Sequence, residues 1–208
     1  KNGILFIQSK NIRKLLATIS YKINNKIPQN IVAVTGTNGK SSIADFYYQI
    51  LNLNNKKVAS IGTLGIKSKK FKKNLSNTTV NPIKLSKILC NLKKQNINNV
   101  IMEASSHGLS QNRLDGLAFN IGIFTNLSQD HLDYHKNLKK YLKAKLYLFE
   151  KLIKKNGSII TDEEIPEFKK IKKIASKKKL NLYSLLDKKN NFQFLSHKFE
   201  DDAQLLEI

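Results

Sequence analysis

From Ile31 onward the chain alternates short apolar runs with amphipathic stretches. Ile31-Val32-Ala33-Val34 is an unbroken apolar run that leads straight into a Gly-containing turn. Residues 42–53 then repeat apolar positions at helical spacing, with Ile43, Phe46, Tyr47, Ile50 and Leu51 on one side. The same patterns predict strands at 58–61, 100–102, 121–124, 158–160 and 180–184, and helices at 83–95, 137–154 and 167–178. Strands buried as continuous apolar runs, with a helix after each, specify an α/β fold with a mostly parallel sheet covered on both faces. Ligands of such sheets sit at the carboxyl ends of the strands. The first thirty residues read differently. Residues 4–7 suggest a short strand, 11–20 a helix, and 24–30, with Pro28, a linker.

The composition is that of a globular chain, with 40% hydrophobic residues among 208. A single cysteine, Cys90, excludes an intramolecular disulfide and fits a cytoplasmic location. No run approaches the roughly 20 apolar residues of a membrane span, so no membrane association is expected. The formal net charge of +22 raises the possibility of nucleic acid. Yet of 37 basic residues only Arg13 and Arg113 are arginine, whereas nucleic-acid surfaces favour the planar guanidinium fork. The lysines are spread along the chain without interleaved aromatics, so no specific nucleic acid is expected. Such a surface still steers anions toward it.

Four places along the chain carry candidate chemistry. Thr35-Gly36-Thr37-Asn38-Gly39-Lys40-Ser41-Ser42 lies between a predicted strand and helix. Its glycines let the backbone approach phosphates, the helix N-terminus favours the anion, Lys40 offers a point charge and Ser41 a hydroxyl for magnesium. Glu103 ends an apolar strand, where a carboxylate is costly unless it is paired or metal-bound. Asp130-His131-Leu132-Asp133-Tyr134-His135 follows the strand at 121–124. In the next helix, seven-residue steps from Leu138 to Leu152 pass through Lys145. Either this lysine snorkels its ammonium to the rim, or desolvation leaves a neutral amine able to take up carbon dioxide as a carbamate.

Taken together, the segments 35–42, Met102-Glu103-Ala104-Ser105-Ser106-His107-Gly108-Leu109 and 125–135 resemble the Mur ligases, nearest to the branch that adds the third amino acid of the peptidoglycan precursor. Asn77-Thr78-Thr79 and Gln111-Asn112-Arg113 resemble substrate segments of that branch. The resemblance implies a P-loop NTPase-like central domain over residues 30–208, incomplete near 192–208. It implies that 1–29 are a remnant of an N-terminal UDP-binding domain and linker, with the C-terminal ligase domain absent. It further implies ATP bound by Gly36, Thr37, Asn38, Gly39, Lys40, Ser41, Ser42 and Asn126. Two Mg2+ sites would be held by Ser41, Glu103, His131 and a carbamylated Lys145. Lys40, His131 and Lys145 would be catalytic. Asn77, Thr78, Thr79, Ser105, Gln111 and Arg113 would contact UDP-N-acetylmuramoyl-L-alanyl-D-glutamate.

The implied reaction is ATP-dependent addition of diaminopimelate or lysine through an acyl phosphate, by a cytoplasmic monomer. The 208-residue chain is expected not to complete ligation alone. Gln129, where the family pattern has Arg, and Val80-Asn81-Pro82, where relatives carry Thr-Thr-Pro, depart from that pattern. The competing expectations are a folylpolyglutamate synthetase-like ligase and a non-catalytic nucleotide- or nucleic-acid-binding fragment.

Overall fold

The computed structural model describes residues 6–69, 72–184, 196–200 and 203–207. Its chain order is α1 (Ile12–Ile23), β1 (Asn30–Thr35), α2 (Lys40–Leu53), β2 (Val58–Gly62), β3 (Gly65–Ser68), β4 (Lys72–Lys73), α3 (Pro82–Lys94), β5 (Asn99–Glu103), α4 (Ser106–Ser110), β6 (Phe119–Phe124), α5 (Leu132–His135), α6 (Leu138–Tyr147), a π-helical turn (Leu148–Leu152), β7 (Ile153–Thr161), α7 (Phe168–Lys178) and β8 (Asn181–Tyr183). These build one eight-stranded sheet in the order β4-β3-β2-β5-β1-β6-β7-β8. A separate antiparallel pair, β9 (Ser196–Glu200) with β10 (Ala203–Glu207), follows.

β2, β5, β1, β6, β7 and β8 run parallel, while β3 and β4 turn back antiparallel at one edge. The two edge strands escape the sequence pattern because β4 is two exposed lysines and β3 is only four residues long. From β1 the chain crosses over β5 to reach β2, and from β5 it crosses β1 to reach β6. Register aligns the carboxyl ends, with Val34 opposite Glu103 and Thr35 opposite Phe124. The loops leaving β1, β5 and β6 therefore meet at one edge.

The two faces are covered unequally. Ile31 and Ala33 of β1, with Val100 and Met102 of β5, point into the larger core, which α1, α3, α4, α6 and α7 close with Ala17, Leu89, Leu109, Leu142 and Ile171. Val32, Val34 and Ile101 point the other way and meet Ala44 of α2, with Ile43 and Tyr47 partly buried beside it. On α2 the fully buried positions are Ala44 and Tyr48. Phe46 and Ile50, expected on the inner side, are 60% and 59% exposed. Periodicity marked an apolar stripe correctly but could not say which edge of it meets the sheet.

The helix expected over 137–154 is shorter and changes type. After Tyr147 it widens into the π-helical turn, and Ile153 already belongs to β7. The wider turn keeps Leu148, Phe149 and Leu152 all facing the core. Leu138, the first residue of the predicted stripe, is 40% exposed. Of the expected strand at 4–7, residues 4 and 5 lie outside the described residues, and Phe6 and Ile7 are irregular and exposed. The expected helix at 11–20 is present as α1, capped by the Asn11 side chain accepting from the Lys14 amide.

Candidate active site

Loops from the carboxyl edge enclose a cleft of about 290 Å3 lined by Thr37, Asn38, Gly39, Lys40, Ser41, Ser42, Thr63, Thr78, Glu103, Ser105, Ser106, His131, Tyr141 and Lys145. The loop after β1 forms its floor. It is braced from β6: Thr37 N–H donates to the Asn126 carbonyl, Asn38 N–H to Asn126 Oδ1 at 3.0 Å, and Thr125 Oγ1 to the Asn38 carbonyl at 2.7 Å. Asn126 thus holds the loop rather than lining the cleft. Gly39 caps α2, whose first backbone amides open toward the cleft.

Lys40 Nζ donates to the carbonyls of Gly36 (3.0 Å) and Thr37 (2.7 Å). Burial lowers its pKa, and the negative charges of Glu103 and Asp130 work in the opposite direction. Lys145, on α6, is buried at 1% exposure and donates to the same Gly36 carbonyl at 2.6 Å. Its Nζ sits 4.2 Å from the centre of the Tyr141 ring. Burial first, and then the Lys40 charge, bring the Lys145 pKa down to about 7, against a raising effect of Asp130. The structure therefore places this lysine inside the core, not at the rim.

Glu103, 2% exposed, carries the opposite charge. Its Oε1 accepts from Ser41 Oγ at 3.0 Å and from the Thr63 amide at 2.8 Å, and its Oε2 accepts from Thr63 Oγ1 at 3.1 Å. Gly62 is what lets the carboxylate lie there, because a Cβ at that position would collide with it. Thr63 was not singled out from the sequence. The available signal was its place directly after β2, at the same carboxyl edge as Glu103.

His131 adopts a left-handed backbone (φ 52°) ahead of α5, with Nε2 at 3.4 Å from Asp130 Oδ2. Its ring packs edge-on against His107 at 4.8 Å, and His107 packs in turn on Tyr134 (4.1 Å) and His135 (5.5 Å). Burial lowers the His107 pKa, followed by the charge of His131. His135 is lowered by burial, then by His107 and Lys145. Both imidazoles are biased toward the neutral form.

The expected substrate residues divide. Thr78 and Ser105 line the cleft. Asn77, Gln111 and Arg113 line a neighbouring cavity of about 260 Å3. Thr79 joins the two from within: its hydroxyl donates to the Glu103 carbonyl and accepts from the Ser105 amide, and its carbonyl accepts from Arg113 Nη1 at 2.5 Å. In the departing segment, Asn81 caps α3 and Pro82 occupies its first turn, a local helix-starting role.

Among the described residues, no three His, Cys, Asp or Glu side chains gather as a metal cage. The cleft instead offers one carboxylate, one imidazole and hydroxyls. That donor set suits a hard cation which takes most of its ligands from phosphate oxygens and water. Among the described residues no helix is long and apolar enough to cross a membrane.

Comparison with known proteins adds to this geometry. The family model described as the Mur ligase middle domain matches residues 34–207. The UDP-N-acetylmuramoyl-L-alanyl-D-glutamate--2,6-diaminopimelate ligase of Rickettsia bellii is 40% identical over 183 residues, covering 86% of this chain and 38% of that protein. The like-named protein of Zymomonas mobilis is 33% identical over 206 residues, covering 99% of this chain and 42% of its own length. The chain thus spans about two fifths of these relatives. A solved structure of a ligase of the same name superposes with a TM-score of 0.81 at 26% identity, over 96% of this chain and 42% of that one. A folylpolyglutamate synthetase complex with AMPPCP superposes at 0.72 with 13% identity, over 94% of this chain and 54% of that one, a likeness of fold alone.

Proposed function

The chain belongs to the Mur ligase family, and from that premise we propose that it is the ATP-binding domain of a ligase that joins diaminopimelate to UDP-N-acetylmuramoyl-L-alanyl-D-glutamate. The names of the curated relatives support this choice of amino acid and precursor. The observation that carries the nucleotide half is the convergence of Lys40 and Lys145 on the Gly36 carbonyl, opposite Glu103 and Ser41. Lys40 and the backbone amides at the N-terminus of α2 present a site for a polyanion, and the hydroxyl–carboxylate pair presents one for its counter-cation.

Loop 36–41 would hold the phosphates of ATP, its backbone amides and Lys40 supplying the donors and charge that neutralise them. Ser41, Glu103 and His131 are the residues that would hold magnesium, at two sites if Lys145 is carbamylated. A magnesium ion held there would supply charge neutralisation for the transferred phosphoryl group. The glutamate carboxylate oxygen attacks the γ-phosphorus and the bond to the ADP oxygen breaks, leaving an acyl phosphate. The incoming amine then attacks the acyl carbon, loses its proton, and phosphate departs as the amide forms. The domain contributes position and charge neutralisation, since the phosphoryl group moves without a protein nucleophile. Thr78 and Ser105 bring the precursor to the cleft, with Asn77, Gln111 and Arg113 behind them. Lys145, with a pKa of about 7, has a neutral amine available near neutral pH. Attack on carbon dioxide with loss of one proton would make it an anion lining the same cleft as Ser41, Glu103 and His131.

A calorimetric titration of Mg-ATP into the chain and into Lys40→Ala, at moderate salt, tests the nucleotide assignment. Because the variant removes one of 37 basic residues, diffuse attraction hardly changes. A loss of about tenfold or more in affinity is expected. Equal binding by both proteins would reject the site.

A further inference from the structure

The two arginines of this lysine-rich chain, one at the start of α1 and the other just after α4, line the same cavity. Arg13 and Arg113 share it with Asn77, Asn81 and Gln111, above an apolar floor that includes Leu16. No acidic side chain lines it among the described residues. Arg and Lys are interchangeable wherever a diffuse positive charge is enough, and they are not where a planar fork must meet two oxygens. In a chain whose other Lys-or-Arg positions are all lysine, the placement of both arginines on one cavity marks a place that needs the fork.

Arg113 is held ready. Its Nε and Nη2 donate to Gln111 Oε1 at 3.0 and 2.7 Å, and its Nη1 donates to the Thr79 carbonyl at 2.5 Å. These bonds fix the plane of the guanidinium and leave N–H groups over for a ligand. Arg13 is exposed and has no ion pair among the described residues. Its helix, however, is fastened to the segment that carries Arg113. Tyr21 Oη donates to the Arg113 carbonyl at 2.9 Å, Asn11 Nδ2 donates to Asn112 Oδ1 at 3.1 Å, and Lys14 lies 3.7 Å from Asp115. Gly116, at φ +98°, lets α1 approach closely, because a Cβ there would stand 2.9 Å from Thr18 Cα. The two arginines are therefore mounted on one rigid joint.

We propose that Arg13 is a substrate-binding residue, paired with Arg113 around an oxyanionic group of the precursor, either a carboxylate of its dipeptide or a phosphate of its nucleotide. This rests on the reading of the substrate given above. It adds a ligand-binding residue from α1, a part of the chain expected to be only the end of a preceding domain.

Because the chain has two arginines, phenylglyoxal with peptide mass analysis follows each one separately. UDP-N-acetylmuramoyl-L-alanyl-D-glutamate at millimolar concentration should slow modification of Arg13 and Arg113 together, by about fivefold or more. UDP-N-acetylglucosamine, which keeps the nucleotide diphosphate and has no carboxylate, separates the two sources: protection by it assigns the phosphate, and its failure beside success of the full precursor assigns a carboxylate. Protection of Arg113 with Arg13 unchanged overturns the proposal and leaves the substrate reading intact. Protection of neither removes the substrate reading, and the proposal with it. Calorimetry with Arg13→Lys and Lys10→Gln supplies the second arm. A loss of about tenfold is expected for Arg13→Lys, because charge is kept and the fork is lost, and none for Lys10→Gln. Equal loss in both would mean diffuse charge and would overturn the assignment.

Discussion

Lys145 donates to the carbonyl oxygen of Gly36 at 2.6 Å, and the two residues are 109 positions apart in the chain. Lys40 donates to the same oxygen at 3.0 Å. One carbonyl thus joins the phosphate loop to the middle of α6, and it does so through two like charges. Their repulsion, added to burial, is why Lys145 sits near neutrality on the pH scale.

That shift sets a pH dependence of stability. The Lys145 pKa falls from an ordinary 10.5 to about 7 in the fold. Between those values the unfolded chain holds a proton that the folded one lacks, so this group makes stability rise with pH across that window and adds no slope below it. The slope is at most about 1.4 kcal/mol per pH unit. Urea melts of wild type and Lys145→Met at pH 6, 7, 8 and 9 isolate it. Wild type should gain on the variant from pH 7 to 9; a constant difference over that range would show that the lysine is not depressed.

The same amine should react with carbon dioxide. In 13C-bicarbonate buffer at pH 8, wild type is expected to show a carbamate carbon resonance that Lys145→Met lacks. Its absence from wild type would remove the carbamate from the proposed metal positions and leave Lys145 as a cation or neutral amine.

Gly62→Ala tests the seat of Glu103. A Cβ at that position collides with the carboxylate held by Ser41 and Thr63. Overpacking of this kind costs about 1–3 kcal/mol. Displacing the carboxylate should also weaken Mg-ATP binding more than binding of ATP in EDTA. Equal weakening of both would detach Glu103 from the metal.

Tyr21→Phe removes the bond that ties α1 to the Arg113 carbonyl. Tyr21 is buried, so the variant strands a carbonyl away from water, and a loss of about 1–2 kcal/mol in thermal or urea unfolding is expected. No change would mean that α1 is not seated as described.

Phe46→Ser and Ile50→Ser address the open side of α2. Both side chains are more than half exposed, so each variant should unfold within about 0.5 kcal/mol of wild type. A loss typical of a core deletion, about 3 kcal/mol or more for Phe46, would place this face inside the fold.

Much of the architecture could be read from local pattern. The runs at 31–34 and 100–102 are strands because unbroken β-branched and apolar stretches need burial on both faces, and those at 58–61 and 121–124 follow the same pattern with Ser60 and Gly122 among them. Glu103 could be picked out because a carboxylate at the end of such a run needs a partner. The seven-residue step that passes through Lys145 drew attention to the lysine but left it equally able to snorkel to the rim, and the tertiary structure is what buries it. Local pattern failed where the answer depended on a neighbour. Phe46 and Ile50 fit the helical stripe, yet the sheet meets the Ala44–Tyr48 side, where a small residue lets α2 approach. Lys72 and Lys73 form an edge strand because β3 offers them hydrogen bonds, not because lysine favours strands.

What the sequence determined by itself was a set of polar groups placed against apolar runs: the glycine loop with Lys40 and Ser41, Glu103, the Asp130–His135 segment and Lys145. Local order dictates these, through the spacing of polar residues against apolar runs. The tertiary structure alone decided their company. It placed Thr63 on Glu103, joined Lys145 to Gly36, and set Arg13 and Arg113 on one cavity. Those relationships arise from the crossing order of β2, β5, β1 and β6 and from the seating of α1, and distance in space of that kind leaves no trace in the spacing of residues along a chain.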